Sequence, residues 1–359
     1  MEHAFGTGEP FTVGIEEELL LVDPETHELA HVAEEVRPRI DQPEEMVDYE
    51  AYAAELELRS PPSPDAAAAV AALASARRAA NEAGATLMAS GLHPAGALGD
   101  VRLVRKARYE GVEREMRGLI RRTPECALHV HVGMPDADAA IAALAGLRDA
   151  LPLLQGLGAN SPFWFGADSG MASARAAVVR EYPGRGVPPA FGSWDEYVEA
   201  VDAAAAGGGP RDYSLLWWDV RLHPRLGTVE LREVDAQTRL DEVAALAGLA
   251  QATARRAAES PPPRPAHPQA VAWSCFRAAR DGLDAEILHE GALTPLREAA
   301  RRTLAALGAG EPALEGVERM LADGNGADRQ RAAHSRGGMP VLLRELVERT
   351  RDGLGPAGG

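Results

Sequence analysis

The chain has 359 residues, a formal net charge of -17 and 46% hydrophobic residues. This allows one large or two ordinary domains with ample core, and the acidity excludes partners held by attraction to nucleic-acid phosphates or an anionic membrane surface. No apolar run approaches the ~20 residues of a membrane span, and two cysteines, Cys126 and Cys275, without a signal peptide point to a reduced, cytoplasmic compartment.

Residues 1–10 read as a loose polar leader. An apolar strand follows from Val13 to Asp23, with Glu16, Glu17 and Glu18 in its first half, and Asp23-Pro24 turns it toward a partner strand around Glu28 to Val32. His27 and His31 read as surface residues, and 33–50 as acidic and irregular. Ala51 to Arg59 is a second carboxylate-bearing strand, closed by Ser60-Pro-Pro-Ser-Pro64. Asp65 to Glu82 is an alanine-rich helix, and Thr86 to Ser90 a short strand ahead of His93, a loop histidine that is either structural or a substrate contact. Residues 104–122 form a charged amphipathic helix. Cys126 to Gly133 is a strand carrying His129 and His131, and 137–158 is helical with an interruption at Pro152. The stretch 160–190 is a long loop with Arg175, Arg180 and Arg185, and its length suggests a mobile lid over an active site. Ser193 to Glu196 is a capping box opening a helix. Leu215 to Leu222 and Thr228 to Val234 form a hairpin, 239–259 is helical, 260–268 resembles a linker, and 269–351 is mostly helix before a disordered-looking tail. The division follows: a catalytic core over 1–260 and a helical segment over 261–359 packed on it, within one structural domain.

Four segments share one alternation: Glu16-Glu-Glu18, Glu55-Leu-Glu57-Leu-Arg59, His129-Val-His131 and Glu230-Leu-Arg232. Successive strand residues point to opposite faces, so each segment sets ligand-type or charged groups on one face and mostly apolar ones on the other. A solvated face of an antiparallel sheet would look similar, but it would also use Lys, Thr and Ser. Carboxylates, imidazoles and guanidiniums together suit divalent metal and phosphate. Lys106 is the only lysine and lies in no Gly-x-x-x-x-Gly-Lys phosphate loop, so a nucleotide would need metal ions and arginines. Mixed strands and helices without strict βαβ alternation give an α+β fold, an antiparallel sheet with the site on its open face and helices on the other.

The ordered set Gly14 to Glu18, Leu56-Glu57-Leu-Arg-Ser-Pro61, His129 to Gly133 and Val229 to Arg232 resembles the glutamate–cysteine ligase type 2, or carboxylate–amine ligase, family. Asn160-Ser-Pro-Phe-Trp164, Trp218-Asp-Val-Arg221 and Asp235-Ala-Gln-Thr238 extend the resemblance over roughly 11–290. It implies a glutamine synthetase/guanido kinase-type fold and ATP-dependent joining of a carboxylate to an amine. Carried over by position, it implies Mg²⁺ (or Mn²⁺) on Glu16, Glu18, Glu57, His129 and Glu230. Arg232 and Glu57 are then catalytic candidates, and Arg221, Arg232 and Arg175 nucleotide contacts. His131, Arg59 and Asn160 are substrate contacts, with His131 open as a second ligand or a structural donor. Leu58-Arg59-Ser60-Pro61 departs from the family pattern at the neighbouring substrate contact, so Arg59 could meet a different carboxylate. The implied partners are a glutamate-like carboxylate and an amine such as cysteine, with a homo-oligomer left open. The alternative is a metal-dependent hydrolase built on the same Glu/His cluster.

Overall fold

The computed structural model describes residues 1–210, 212–261, 264–308 and 312–352. Its centre is a seven-stranded antiparallel sheet. The strands are β1 (Val13–Leu21), β2 (Val47–Tyr49), β3 (Glu55–Arg59), β4 (Leu87–Met88), β5 (Ala127–Gly133), β6 (Val220–His223) and β7 (Thr228–Asp235). Their order is β2-β3-β1-β5-β7-β6, with β4 pairing the end of β1.

The alternation read from the sequence sorts the faces. Val13, Ile15, Leu19 and Leu21 of β1, Leu56 and Leu58 of β3, Leu128, Val130 and Val132 of β5, and Val229 and Leu231 of β7 share one core cluster. Helices α1 (Ala66–Glu82), α2 (Ala107–Met116), α3 (Ala137–Leu157), α4 (Trp194–Ala206) and α5 (Leu240–Glu259) follow in chain order, and α1, α3 and α5 cover that apolar face. Local signals start them: Asp65 accepts from the Ala68 N–H at 2.8 Å, Asp136 from that of Ala139 at 2.8 Å, and Ser193 from that of Glu196 at 3.2 Å. Helices α6 (Pro268–Asp281), α7 (Leu296–Leu307) and α8 (Pro312–Asp323) pack outside this layer, α9 (Gly326–Asp352), kinked at Gly337-Gly338, packs on β4 and on Leu20 from the opposite face of β1, and the expected glycine-rich tail from 353 onward lies outside the described residues.

Glu17 is the one charge that β1 sends into the apolar layer. It is fully buried, and Arg77 of α1, equally buried, donates to both its oxygens at 2.7 and 2.6 Å. Arg77 also donates to the carbonyls of Gln237 at 3.0 Å and Thr238 at 3.3 Å, between β7 and α5. Because a slip of one residue exchanges the faces of a strand, this pair fixes which face receives Glu16 and Glu18.

Several expectations are corrected. No partner strand forms at 28–32; Leu29 makes a single bridge to Val22. Within 33–50 there is a helical turn, Ala33–Val36, and strand β2. The helix expected over 104–122 is confined to Ala107–Met116, and β3 begins at Glu55 rather than Ala51. Helix α3 runs without a break through the buried Pro152, because packing between the sheet and α5 and α6 overrides the local preference.

The segment 160–190 is not loop throughout: 160–163 and most of 172–179 are buried, whereas 165–170 is exposed. Ser161, Ser173 and Asn160 converge on buried Asp235: the two hydroxyls donate at 2.7 and 2.9 Å and the Asn160 N–H at 2.8 Å. A short helix, Ala174–Val178, is buried beside them. Its glycines and prolines serve turns such as the exposed one at Phe165-Gly166, where both residues have positive φ.

Candidate active site

Register brings the four alternating segments together on the open face. Glu16 lies opposite Arg59 on one side and His129 on the other, Glu18 opposite Glu57, and His131 opposite Glu230, which in turn faces Arg221. A bulge where β5 meets β7 places both Arg232 and Glu233 opposite His129. All of these except Glu233 line a cavity of about 420 Å³ together with Glu50, Tyr52, Glu55, Glu125, Arg175, Tyr182, Arg185 and Trp217. A second cavity, about 550 Å³, shares Glu16, Arg59 and His131 with it.

The tightest group is Glu16, His129 and Glu230, whose ligand atoms lie within 4.8 Å of one another. Two carboxylates and an imidazole suit a divalent cation, and His131 adds an Nε2 without a hydrogen-bond partner, 3.5 Å from Glu16 Oε1 and 3.9 Å from Glu230 Oε1. Its other nitrogen is held by the Thr228 hydroxyl at 3.0 Å, which fixes the ring. Glu18 sits at the margin of the group, 3.8 Å from His129 Nε2, and accepts from the Ala127 N–H at 2.6 Å.

Electrostatics divide the carboxylates. Burial pushes the Glu230 carboxyl up, but Arg221 and Arg232 outweigh it and hold the group well below the usual range. Glu16 is likewise lowered despite burial, by His131 and His129. Burial and then Arg232 lower the pKa of His129, whereas Glu230 and Glu16 overcome burial and raise that of His131. Glu57 goes the other way: burial, then Glu16 and Glu50, push it well above the usual range. It accepts from Arg59 Nε at 2.7 Å, so Arg59 is turned toward a protein carboxylate. Arg221 is tied to Glu230 at 2.6 and 3.2 Å and Arg232 also donates to Glu230, while Arg232 Nε has no partner.

The structure therefore gathers Glu16, His129 and Glu230 into one group, with Glu18, Glu57, Arg59, His131, Arg221, Arg232 and Arg175 on the same cavity. Asn160 stands apart. Buried beyond the cavity, it donates to the Ala236 carbonyl at 2.7 Å and accepts from Gln330 of α9 at 2.9 Å, so it is a structural tie and not a substrate contact. His93 is also structural, bonded to the His27 carbonyl at 2.8 Å. Sequence reasoning missed Glu50, Glu125, Tyr52, Tyr182 and Trp217 as cavity residues, because they lie in loops or at strand ends without a motif, and it gave no role to Glu55 although that residue shares the alternation of β3.

A sheet face that concentrates carboxylates, imidazoles and guanidiniums in one cleft has the donor set to hold a divalent cation and phosphate groups together. The glutamate-cysteine ligase family 2 model matches residues 12–348, and the chain belongs to that family. Two Rubrobacter xylanophilus proteins, provisionally named glutamate–cysteine ligase 2-3 and 2-1, are 41% and 34% identical, covering 98% and 96% of this chain and 100% and 96% of their own. The chain is an enzyme of the ligase class, and the hydrolase alternative finds no support. Two solved structures share the fold. One is a bifunctional glutathione synthetase from Pasteurella multocida, with TM-score 0.68, 16% identity and coverage of 96% of this chain and 52% of that one. The other is a glutamate–cysteine ligase from Francisella tularensis in complex with AMP, with TM-score 0.67, 12% identity and coverage of 94% and 88%. Among the described residues no helix is long and apolar enough to cross a membrane.

Proposed function

We propose that this protein is a cytoplasmic, ADP-forming carboxylate–amine ligase that makes an amide bond of the γ-glutamyl type. It would act from a sheet of the glutamine synthetase/guanido kinase kind, with 1–260 as catalytic core and the later helices as support. The observation that carries the reading is the Glu16–His129–Glu230 group with two arginines beside it, on the open face of an antiparallel sheet. Its donor set fits a divalent cation, Mg²⁺ or Mn²⁺, held by Glu16, His129 and Glu230 with Glu18 and Glu57 adjoining. Such an ion, when bound, neutralises phosphate charge and allows ATP into an acidic cleft.

The chain's own residues supply the rest. A carboxylate is a poor electrophile because oxide would have to leave, whereas transfer of the γ-phosphoryl group to it creates an acyl phosphate with a good leaving group. Arg232, whose Nε is free for a further acceptor, stabilises charge developing on the transferred phosphoryl oxygens. Arg221 holds Glu230 in place with paired donors, and Arg175 adds positive charge to the cleft that takes the nucleotide. The amine then attacks the carbonyl carbon, phosphate leaves, and Glu57, a carboxylate on the wall of the same cavity, takes the proton. Phosphate and ADP should therefore appear in equal amounts with amide when the protein is given ATP, Mg²⁺, L-glutamate and a panel of amines. Amide formation with release of AMP and pyrophosphate would refute the reading.

A further inference from the structure

One end of the 420 Å³ cavity carries charges that the ligase reaction does not use. Glu55, on β3, faces Leu20 of β1 in register, four positions from Glu16 on the same face, so it stands roughly 13 Å along the sheet from the Glu16–His129–Glu230 group. It is fully buried, lines the cavity, and its Oε2 has no hydrogen-bond partner. Beside it is Glu125, partly exposed to the cavity. Among the described residues both carboxylates accept hydrogen bonds only from neutral groups: the Cys126 thiol donates to Glu55 at 3.2 Å, and the Tyr182 hydroxyl to Glu125 at 2.8 and 3.1 Å.

The neighbouring arginines are committed elsewhere. Arg122 donates to Glu181 at 2.6 Å and to the Val178 carbonyl at 3.0 Å. Arg185 pairs with Glu233 at 3.0 Å, and Arg175 lies 3.6 Å from Asp235. Aromatic rings complete the wall: Tyr52 and Tyr182 hydroxyls are 3.3 Å apart, and Trp217 packs edge-on to Tyr182 with centroids 5.6 Å apart. A buried carboxylate oxygen left unpaired is costly, and carboxylates beside aromatic faces attract an organic cation.

We propose that this end of the cavity is a subsite for a positively charged group of the acceptor, remote from its reacting amine. The acceptor is then a diamine or another amine with a second basic group, which remains protonated against Glu55 and Glu125 while the first amine attacks. This rests on the ligase reading and names its second substrate class. The subsite repels an acceptor whose far end is a carboxylate, because Glu55 faces Glu18, Glu50 and Glu125 with no basic residue of its own, and the arginines near Glu125 are shared with Glu181, Glu233 and Asp235.

The test measures ADP release with ATP, Mg²⁺ and L-glutamate, comparing α,ω-diamines with n-alkylamines of equal carbon number, in wild type, Glu55→Gln and Glu125→Gln. In the wild type, kcat/KM for diamines should exceed that for monoamines by about tenfold or more, the worth of one charge-assisted contact, and the ratio should collapse toward one in both variants. Glu125, on the cavity wall, is the variant to rely on if the change at buried Glu55 impairs folding. A wild-type ratio near one, or a ratio unchanged in the variants, overturns the subsite. If no amine supports ADP release, the ligase reading itself fails, and calorimetric titration of 1,5-diaminopentane decides the subsite alone. Binding weakened about tenfold in the Gln variants upholds it. Equal affinity, no binding, or a site in the same variants that responds only to Mg²⁺ overturns it.

Discussion

Replacing Arg77 with Met removes the partner that holds Glu17 on the helix-facing side of β1. Both side chains are fully buried, and the guanidinium makes two bonds to Glu17 and two to the carbonyls of Gln237 and Thr238. Breaking a buried pair by deleting one member typically costs about 3–5 kcal/mol, because the remaining charge is desolvated and uncompensated. Two orphaned carbonyls place this site toward the upper part of that range. Changing Glu17 to Leu in the same chain removes the stranded charge, so the Glu17→Leu/Arg77→Met double variant should recover most of the loss. Urea unfolding followed by circular dichroism measures both chains, with the midpoint falling at a similar slope in the single variant. Because the pair lies on the far side of the sheet from the cavity, the double variant should keep the wild-type KM for ATP. A loss below about 1 kcal/mol for Arg77→Met, or a double variant no more stable than the single one, would refute the register argument.

Arg232→Ala should lower kcat by about a hundredfold or more while changing the KM for ATP much less, since its free donor acts on charge that develops in the transition state; a KM effect alone would make it a ground-state contact. Glu57→Gln should abolish turnover and leave the thermal midpoint unchanged or raised, because burial, Glu16 and Glu50 all disfavour its charge. Asn160→Ala should cost about 2–4 kcal/mol in unfolding experiments through its orphaned buried partners, with kcat/KM preserved in the folded fraction. Burial pushes the Glu125 carboxyl from 4.5 up to about 7, so the folded chain binds that proton more tightly than the unfolded chain. Its contribution to stability is therefore full below the ordinary carboxylate range and lost as pH rises toward about 7, and melting curves of Glu125→Gln should show a shallower decline across that window than the wild type.

The open face was legible because its signal is local. A period of two survives in Glu16/Glu18, Glu57/Arg59, His129/His131 and Glu230/Arg232, and their shared face follows once the strands pair. The antiparallel α+β class followed from the same strands. What sequence could not supply was distance along the chain. Glu17 reads as pointing away from its neighbours, but its partner is 60 residues on, in a helix. Asn160 to Ser173 reads as a loop because its ties to Asp235 span 62 to 75 residues, and only those bonds turn glycine- and proline-rich chain into core. Pro152 reads as a break, yet α3 absorbs it within a buried helix pressed on the sheet. Glu50, Glu125 and Tyr182 belong to no pattern, and only the closure of the cavity makes them a wall.

Oxygen transfer tests the central claim most directly. Glutamate labelled with ¹⁸O in its side-chain carboxylate is incubated with ATP, Mg²⁺ and the acceptor that best supports ADP release. The account requires one labelled oxygen in each phosphate released, because the carboxylate oxygen leaves bonded to the transferred phosphorus. Label found in AMP, or amide formed with unlabelled phosphate, would contradict phosphoryl activation and the role given to Glu16, His129, Glu230 and Arg232.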